Sequence, residues 1–231
     1  MIQIQYLDAA LELTGDVSTG AWANLLWHEQ FTPLGRPDAG PMPGTAFAMA
    51  HDGDNLYVAV RCSALAGETQ EELARENVQI QLDPEQSGER SGIFVCYTDG
   101  KASSAIELQA GGKEGWMGQI GYAVQVKSGA WSMILQVPLG QLVHLEDGLH
   151  RIQFNVTRVA ETIPERGLCY PALEATNFWA PVNATGEALF ERPDLLKAFA
   201  WDVRRAGRGQ IDQNLPEAVC RQDVISTNFS T

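Results

Sequence analysis

The chain has 231 residues, a net charge of −13 at neutral pH and a pI near 4.6. With 45% hydrophobic and 19% charged residues it has the composition of a globular protein, which excludes a disordered or collagen-like chain. No apolar run approaches the roughly 18 residues of a membrane-spanning helix, and so negative a chain is repelled by nucleic-acid backbones and anionic membranes.

The first six residues show neither the basic nor the apolar region of a secretory signal. A cytosolic chain fits this, and so does one that begins after a removed leader. A short helical turn is predicted over 20–31. Residues 33–44 hold four prolines and three glycines, which makes them a loop and a candidate lid. Period-two alternation then dominates. The run Asn55-Leu56-Tyr57-Val58-Ala59-Val60-Arg61-Cys62 places Leu56, Val58, Val60 and Cys62 on one face. Asp52-Gly53-Asp54-Asn55 joins it to a preceding strand over 45–51, because Asp-Gly tolerates the backbone of a tight hairpin. Val78-Gln79-Ile80-Gln81-Leu82 alternates in the same way. Further strands are expected over 92–98, 103–108 and 120–127, with hairpins at Asp99-Gly100-Lys101 and Lys127-Ser128-Gly129-Ala130. The run 131–137 is a strand with Trp131, Met133 and Leu135 inward. In 151–158, Ile152, Phe154 and Val156 oppose Arg151, Gln153, Asn155 and Thr157. Short helical turns are expected at 71–76 and 138–145. Many strands joined by close turns describe an all-β antiparallel sandwich of immunoglobulin or jelly-roll type with a few short helices. Residues 1–203 form one such domain in this reading, and 204–231 form a C-terminal extension.

The sequence holds no G-x-S-x-G elbow, phosphate-binding loop, dinucleotide fingerprint or H-E-x-x-H motif. No catalytic residue is therefore assigned, and no enzyme activity is expected. Glu68, Glu71, Glu72 and Glu76 read as a solvated acidic turn. No cofactor is expected; Asp52, Asp54 and Asn55 offer hard oxygen ligands that would suit calcium, although the hairpin already explains them. Cys62 and Cys96 fall in strand runs and behave as small buried hydrophobes. Among six tryptophans, Trp131 belongs to the core. Trp116 follows the flexible Gly111-Gly112-Lys113-Glu114-Gly115 and is the one expected at the surface. Exposed indoles stack on the C–H faces of sugars.

Several segments together resemble family 9 carbohydrate-binding modules, a DOMON-like sandwich family. Asp54-Asn55-Leu56-Tyr57-Val58-Ala59-Val60-Arg61 looks like an early strand of that family, and 76–83 falls where it has an acidic strand ending in Asp. Trp131 to Leu139 and 152–158 follow in order. Phe178-Trp179-Ala180-Pro181 and Phe190-Glu191-Arg192-Pro193 resemble its closing segments. The resemblance implies a non-catalytic β-sandwich, often an accessory domain beside polysaccharide-degrading enzymes and sometimes a free-standing protein, and an extracytoplasmic location. Its sugar clamp would fall at Leu73 and Phe190, its acidic partner at Gln79 and its arginine near Phe94. Only Phe190 keeps an aromatic ring at the clamp.

The resulting expectation is a carbohydrate-binding protein whose oligo- or polysaccharide ligand stacks on Trp116, Trp179 and Phe190. Two alternatives stand beside it. One is a haem-binding electron-transfer domain using Met49, Met117 or Met133 with His51 or His144. The other is a protein-interaction domain with a decayed sugar site.

Overall fold

The computed structural model describes residues 2–33, 43–84, 86, 90–108, 112–116, 119–142, 151–159, 168–170 and 186–193. In chain order the strands are β1 Ile2–Tyr6, β2 Thr32–Pro33, β3 Thr45–His51, β4 Asn55–Ser63, β5 Asn77–Asp83, β6 Arg90–Tyr97 and β7 Ala102–Leu108. They continue with β8 Lys113–Gly115, β9 Gly121–Lys127, β10 Ala130–Pro138, β11 Arg151–Val159, β12 Leu168–Tyr170 and β13 Gly186–Phe190. One sheet runs β8-β7-β6-β5-β11-β13-β1, and the other runs β1-β3-β4-β10-β9. The short strand β1 belongs to both: Ile2–Ile4 pair in parallel with β13, and Gln5–Tyr6 pair in parallel with β3. We call these the first and second sheets. Apart from β1, their ladders are antiparallel. The all-β sandwich read from the alternation is the observed architecture.

The apolar faces meet as expected. Phe47, Val58, Val60, Met133 and Leu135 of the second sheet pack against Ile80, Phe94, Phe154 and Val156 of the first. Each such side chain contributes about 1.5–3 kcal/mol on full burial. The predicted hairpin at residue 52 has a visible cause. The Asp52 carboxylate accepts the backbone N–H groups of Asp54 and Asn55 (2.8 and 2.7 Å) and the Tyr57 hydroxyl (2.7 Å). Those bonds hold Asp52 below the usual carboxylate range despite its partial burial. Cys62 and Cys96 are buried free thiols, each pushed up to about 12 by burial.

The helical turns are shorter than the sequence suggests. Residues 20–31 form only the 3-10 turn Gly20–Asn24, after which the chain lies flat so that Trp22 and Leu25 both reach the sheet. The turn near 71–76 is the short helix α1, Gln70–Leu73. Thr69 and Glu72 close it as a reciprocal capping box. The predicted turn at 138–145 is the 3-10 turn Leu139–Gln141; Leu139 and Leu142 are buried, and the remainder lies outside the described residues.

Two features depart from the expected wet-outside, apolar-inside strands. The outer face of the second sheet is also buried. Residues 7–27 cross it as a strap, placing Val17, Trp22 and Leu25 on Ala48, Ala50, Tyr57, Ala59 and Ile134. Alanine on alternate positions of β3 lets the strap approach closely. Gly15 makes a close crossing. Its φ is +77°, and a Cβ there would lie 2.6 Å from the Val124 carbonyl carbon.

The second departure corrects the solvated acidic turn. Glu71 does lie at the surface, paired with Arg75, but the Glu68 side chain is 1% exposed and that of Glu76 is fully buried. Both face Arg158, which has the inward parity of Ile152, Phe154 and Val156. Its Nε and Nη2 donate to the two Glu76 oxygens at 2.8 Å, and Nη2 reaches Glu68 at 3.3 Å. Its Nη1 donates to Thr45 Oγ1 (3.0 Å) and to the carbonyl of Ser63 (2.8 Å), across in the second sheet. Trp131 Nε1 donates to Glu76 at 2.7 Å. A charge this deep survives only because it is paired and hydrogen-bonded throughout. The cluster therefore ties the two sheets together at one end of the sandwich.

Candidate functional site

The outward face of the first sheet is unlike the rest of the surface. On β5 the outward residues are Asn77, Gln79, Gln81 and Asp83, alternating with the core residues Val78, Ile80 and Leu82. On β11 they are Gln153, Asn155 and Thr157. The ladder sets Asn155 beside Gln81 and Thr157 beside Gln79. On the other flank, β6 sets Ile93 beside Gln81, Val95 beside Gln79 and Tyr97 beside Asn77. The period-two rule thus gathers five carboxamides on two adjacent strands, β5 and β11.

Depth varies across this face. Tyr97 is 37% exposed and Gln79 and Gln81 are half-buried, whereas Asn155 and Thr157 are each 3% exposed. The face deepens from the aromatic ring on β6 towards the amide on β11. Gln81 Nε2 donates to Ser91 Oγ at 3.1 Å. The buried Asn77 Oδ1 and Asn155 Oδ1 have no hydrogen-bond partner among the described residues. An unmet buried acceptor costs about 1–3 kcal/mol. A carboxamide offers two donors and an acceptor without titrating near neutral pH. A row of such groups can donate to and accept from hydroxyl groups.

The residues expected to stack on a ligand are placed elsewhere. Phe190 is 5% exposed and faces the core, with its ring edge-on to His51 at 5.2 Å. Trp116 is half-buried after β8 and also on the inward side, edge-on to Phe94 at 5.0 Å. Gly92 makes room for it: a Cβ there would lie 3.2 Å from the Trp116 ring. Strands β7, β6, β5 and β11 separate β8 from β13. At about 4.8 Å per strand, one sugar ring cannot touch both Trp116 and Phe190. Trp179 lies outside the described residues. Leu73 and Phe94, where the family clamp and arginine would fall, are both fully buried core residues. Gln79 alone of those positions faces outward.

The sequence reading missed Tyr97, Gln81 and Asn155. The signal was present, because outward parity in 77–83, 92–98 and 151–158 selects all three. Tyrosine and amides on an alternating strand form no motif of their own. Met49 and Met133, considered as haem ligands, are packed into the core at 1% and 0% exposure. Met117 and His144 lie outside the described residues. Among the described residues, no group of three or more His, Cys, Asp or Glu is arranged to hold a metal ion. No helix among them is long and apolar enough to cross a membrane.

No family model and no curated protein matches this chain. Solved structures do. A candidate carbohydrate-binding protein from Bacteroides uniformis ATCC 8492 superposes with a TM-score of 0.62 at 12% identity, over 82% of this chain and 98% of its own. A family 9 carbohydrate-binding module from Caldicellulosiruptor kristjanssonii, in complex with cellotriose, gives 0.57 at 13% identity, over 82% of this chain and 93% of its own. A complex of a family 9 module from the same organism with glucose gives 0.56 at 13% identity, over 82% and 95%. The sandwich described here is therefore the fold of the family 9 carbohydrate-binding modules.

Proposed function

We propose that this protein is a non-catalytic carbohydrate-binding module that takes a neutral oligosaccharide on the outward face of β5, β6 and β11. Tyr97 supplies the stacking ring, and Gln79, Gln81 and Asn155 supply the hydrogen bonds. The observation that carries the reading is the unpartnered acceptor of buried Asn155 beside Gln81, on the deep side of a face whose shallow side bears an exposed aromatic ring. Apolar ring face and polar ring edge are the two halves of a sugar, and this surface presents a match for each. The structural neighbours support the choice, since one is a complex with cellotriose and another a complex with glucose. In this reading the module delivers no bond-making chemistry of its own and acts by holding polysaccharide near an enzyme that cuts it outside the cytoplasm.

Calorimetric titration with cellotriose and a panel of neutral oligosaccharides tests the proposal. Tyr97→Ala and Gln81→Leu are each expected to weaken binding by about tenfold, the equivalent of roughly 1.4 kcal/mol, with far-UV circular dichroism unchanged. Tyr97→Phe should retain most of the affinity. Equal affinity in Tyr97→Ala, Gln81→Leu and the parent protein would remove the site from this face.

A further inference from the structure

We infer that a second saccharide-binding site lies on the opposite side of the molecule, between the second sheet and the strap. A cavity of about 430 Å³ opens there, within the range of small-molecule sites. Its floor is small: Ala46, Ser63, Ala130 and Ser132 lie on three adjacent strands and leave the backbone plane open to a flat ligand. Two ion pairs stand at its rim. Arg61 Nη2 meets Glu29 at 2.7 Å, with the guanidinium lying over the Trp27 ring at 4.5 Å. Lys127 approaches Asp16 at 3.7 Å. Asp16 is held ionised because Ser18 donates both its hydroxyl (2.6 Å) and its backbone N–H (2.9 Å) to the same oxygen.

The ligand class follows from this arrangement. Each cation is already matched by an acid, and the chain as a whole is strongly negative, so a charged ligand gains little here. Paired guanidinium and carboxylate edges offer donors and acceptors side by side, which suits the adjacent hydroxyls of a neutral sugar. The buried Gln125 Oε1, also in the lining, has no hydrogen-bond partner among the described residues and is a further acceptor. The methyl groups of Ala46, Ala130 and Val17 face the sugar's C–H surface. The site is also rigid, because Gly44, Thr45 and Ser63 in its lining accept hydrogen bonds from the buried Arg158. This inference is independent of the amide-lined face, which looks out from the other sheet.

Lysine acetylation read by mass spectrometry locates the site directly. With saturating cellotriose, Lys127 labelling is expected to fall at least threefold. Gln125→Leu should abolish the protection, and Gln81→Leu should leave it in place. An Ala130→Phe variant, which plugs the cavity, should behave as Gln125→Leu does. Cellotriose binding that depends on Gln81 with Lys127 unprotected would overturn the second site and leave the first. Protection of Lys127 with no effect of Gln81→Leu or Tyr97→Ala would uphold the second site and remove the first. No cellotriose binding, or protection that survives both Gln125→Leu and Ala130→Phe, would overturn it as well.

Discussion

At the scale of single residues, Glu76 has the most testable chemistry. Burial pushes its carboxyl up to about 7, with Glu68 adding to the rise and the Arg158 guanidinium and the Trp131 N–H opposing it. A raised folded-state value means the native protein holds this proton more tightly than the unfolded chain. Its contribution to stability is therefore complete below about pH 4.5 and is lost as the pH rises through 7. His28 and His51 act in the opposite direction, since burial lowers both and favours their neutral forms. Comparison with Glu76→Gln isolates the one group. The unfolding free energy of the parent minus that of the variant should fall by on the order of 2 kcal/mol between pH 5 and pH 8. Urea denaturation at the two pH values measures it, and a constant difference would contradict the assignment. Arg158 was legible as an inward residue of its strand, but its partners were not. Glu68 and Glu76 lie in a charged stretch that reads as solvated, and only long-range pairing brings them to Arg158.

Among the elements, the strap is the one the sequence concealed. Residues 7–27 carry no strand or long helix pattern, yet they cover the second sheet with Val17, Trp22 and Leu25. Their docking depends on Gly15, whose positive φ and close approach to Val124 exclude a side chain. Gly15→Ala should cost about 1–3 kcal/mol and loosen the strap first. Hydrogen exchange would show this as faster exchange at Leu25 and Leu11 before any change at the central β4 amides. An unaltered exchange pattern with full stability would show that the crossing tolerates a methyl group. The alternation in β5, β6 and β11, by contrast, was fully legible. Period two is a property of the extended backbone itself, so the faces on which Gln79, Gln81 and Asn155 stand could be read before any fold was known.

For the whole molecule, the question is whether two sheets joined through β1 and the Arg158 cluster unfold as one unit. Cys62 lies on the second sheet and Cys96 on the first, both buried in the same apolar core. Thiols pushed up to about 12 do not react while folded. Both should therefore be labelled by a disulfide reagent at the same rate, set by global opening, across a urea series. Mass spectrometry of the separate peptides distinguishes the two. Earlier labelling of Cys96 would show that the first sheet opens alone, and the interlocked sandwich would then be an incorrect description.

The sequence by itself determined the all-β class, the strand faces, the hairpin at Asp52 and the buried state of Trp131, Cys62 and Cys96. Each follows from contacts within a few residues or from the two-residue period of a strand. The tertiary structure alone decided that Phe190 and Trp116 face inward and lie far apart, that Glu76 is deep in the protein, and that Tyr97 stands beside a row of amides. Those relations depend on strand order. Strand order is set by how two curved sheets bury their apolar faces together, which no local pattern in the chain encodes.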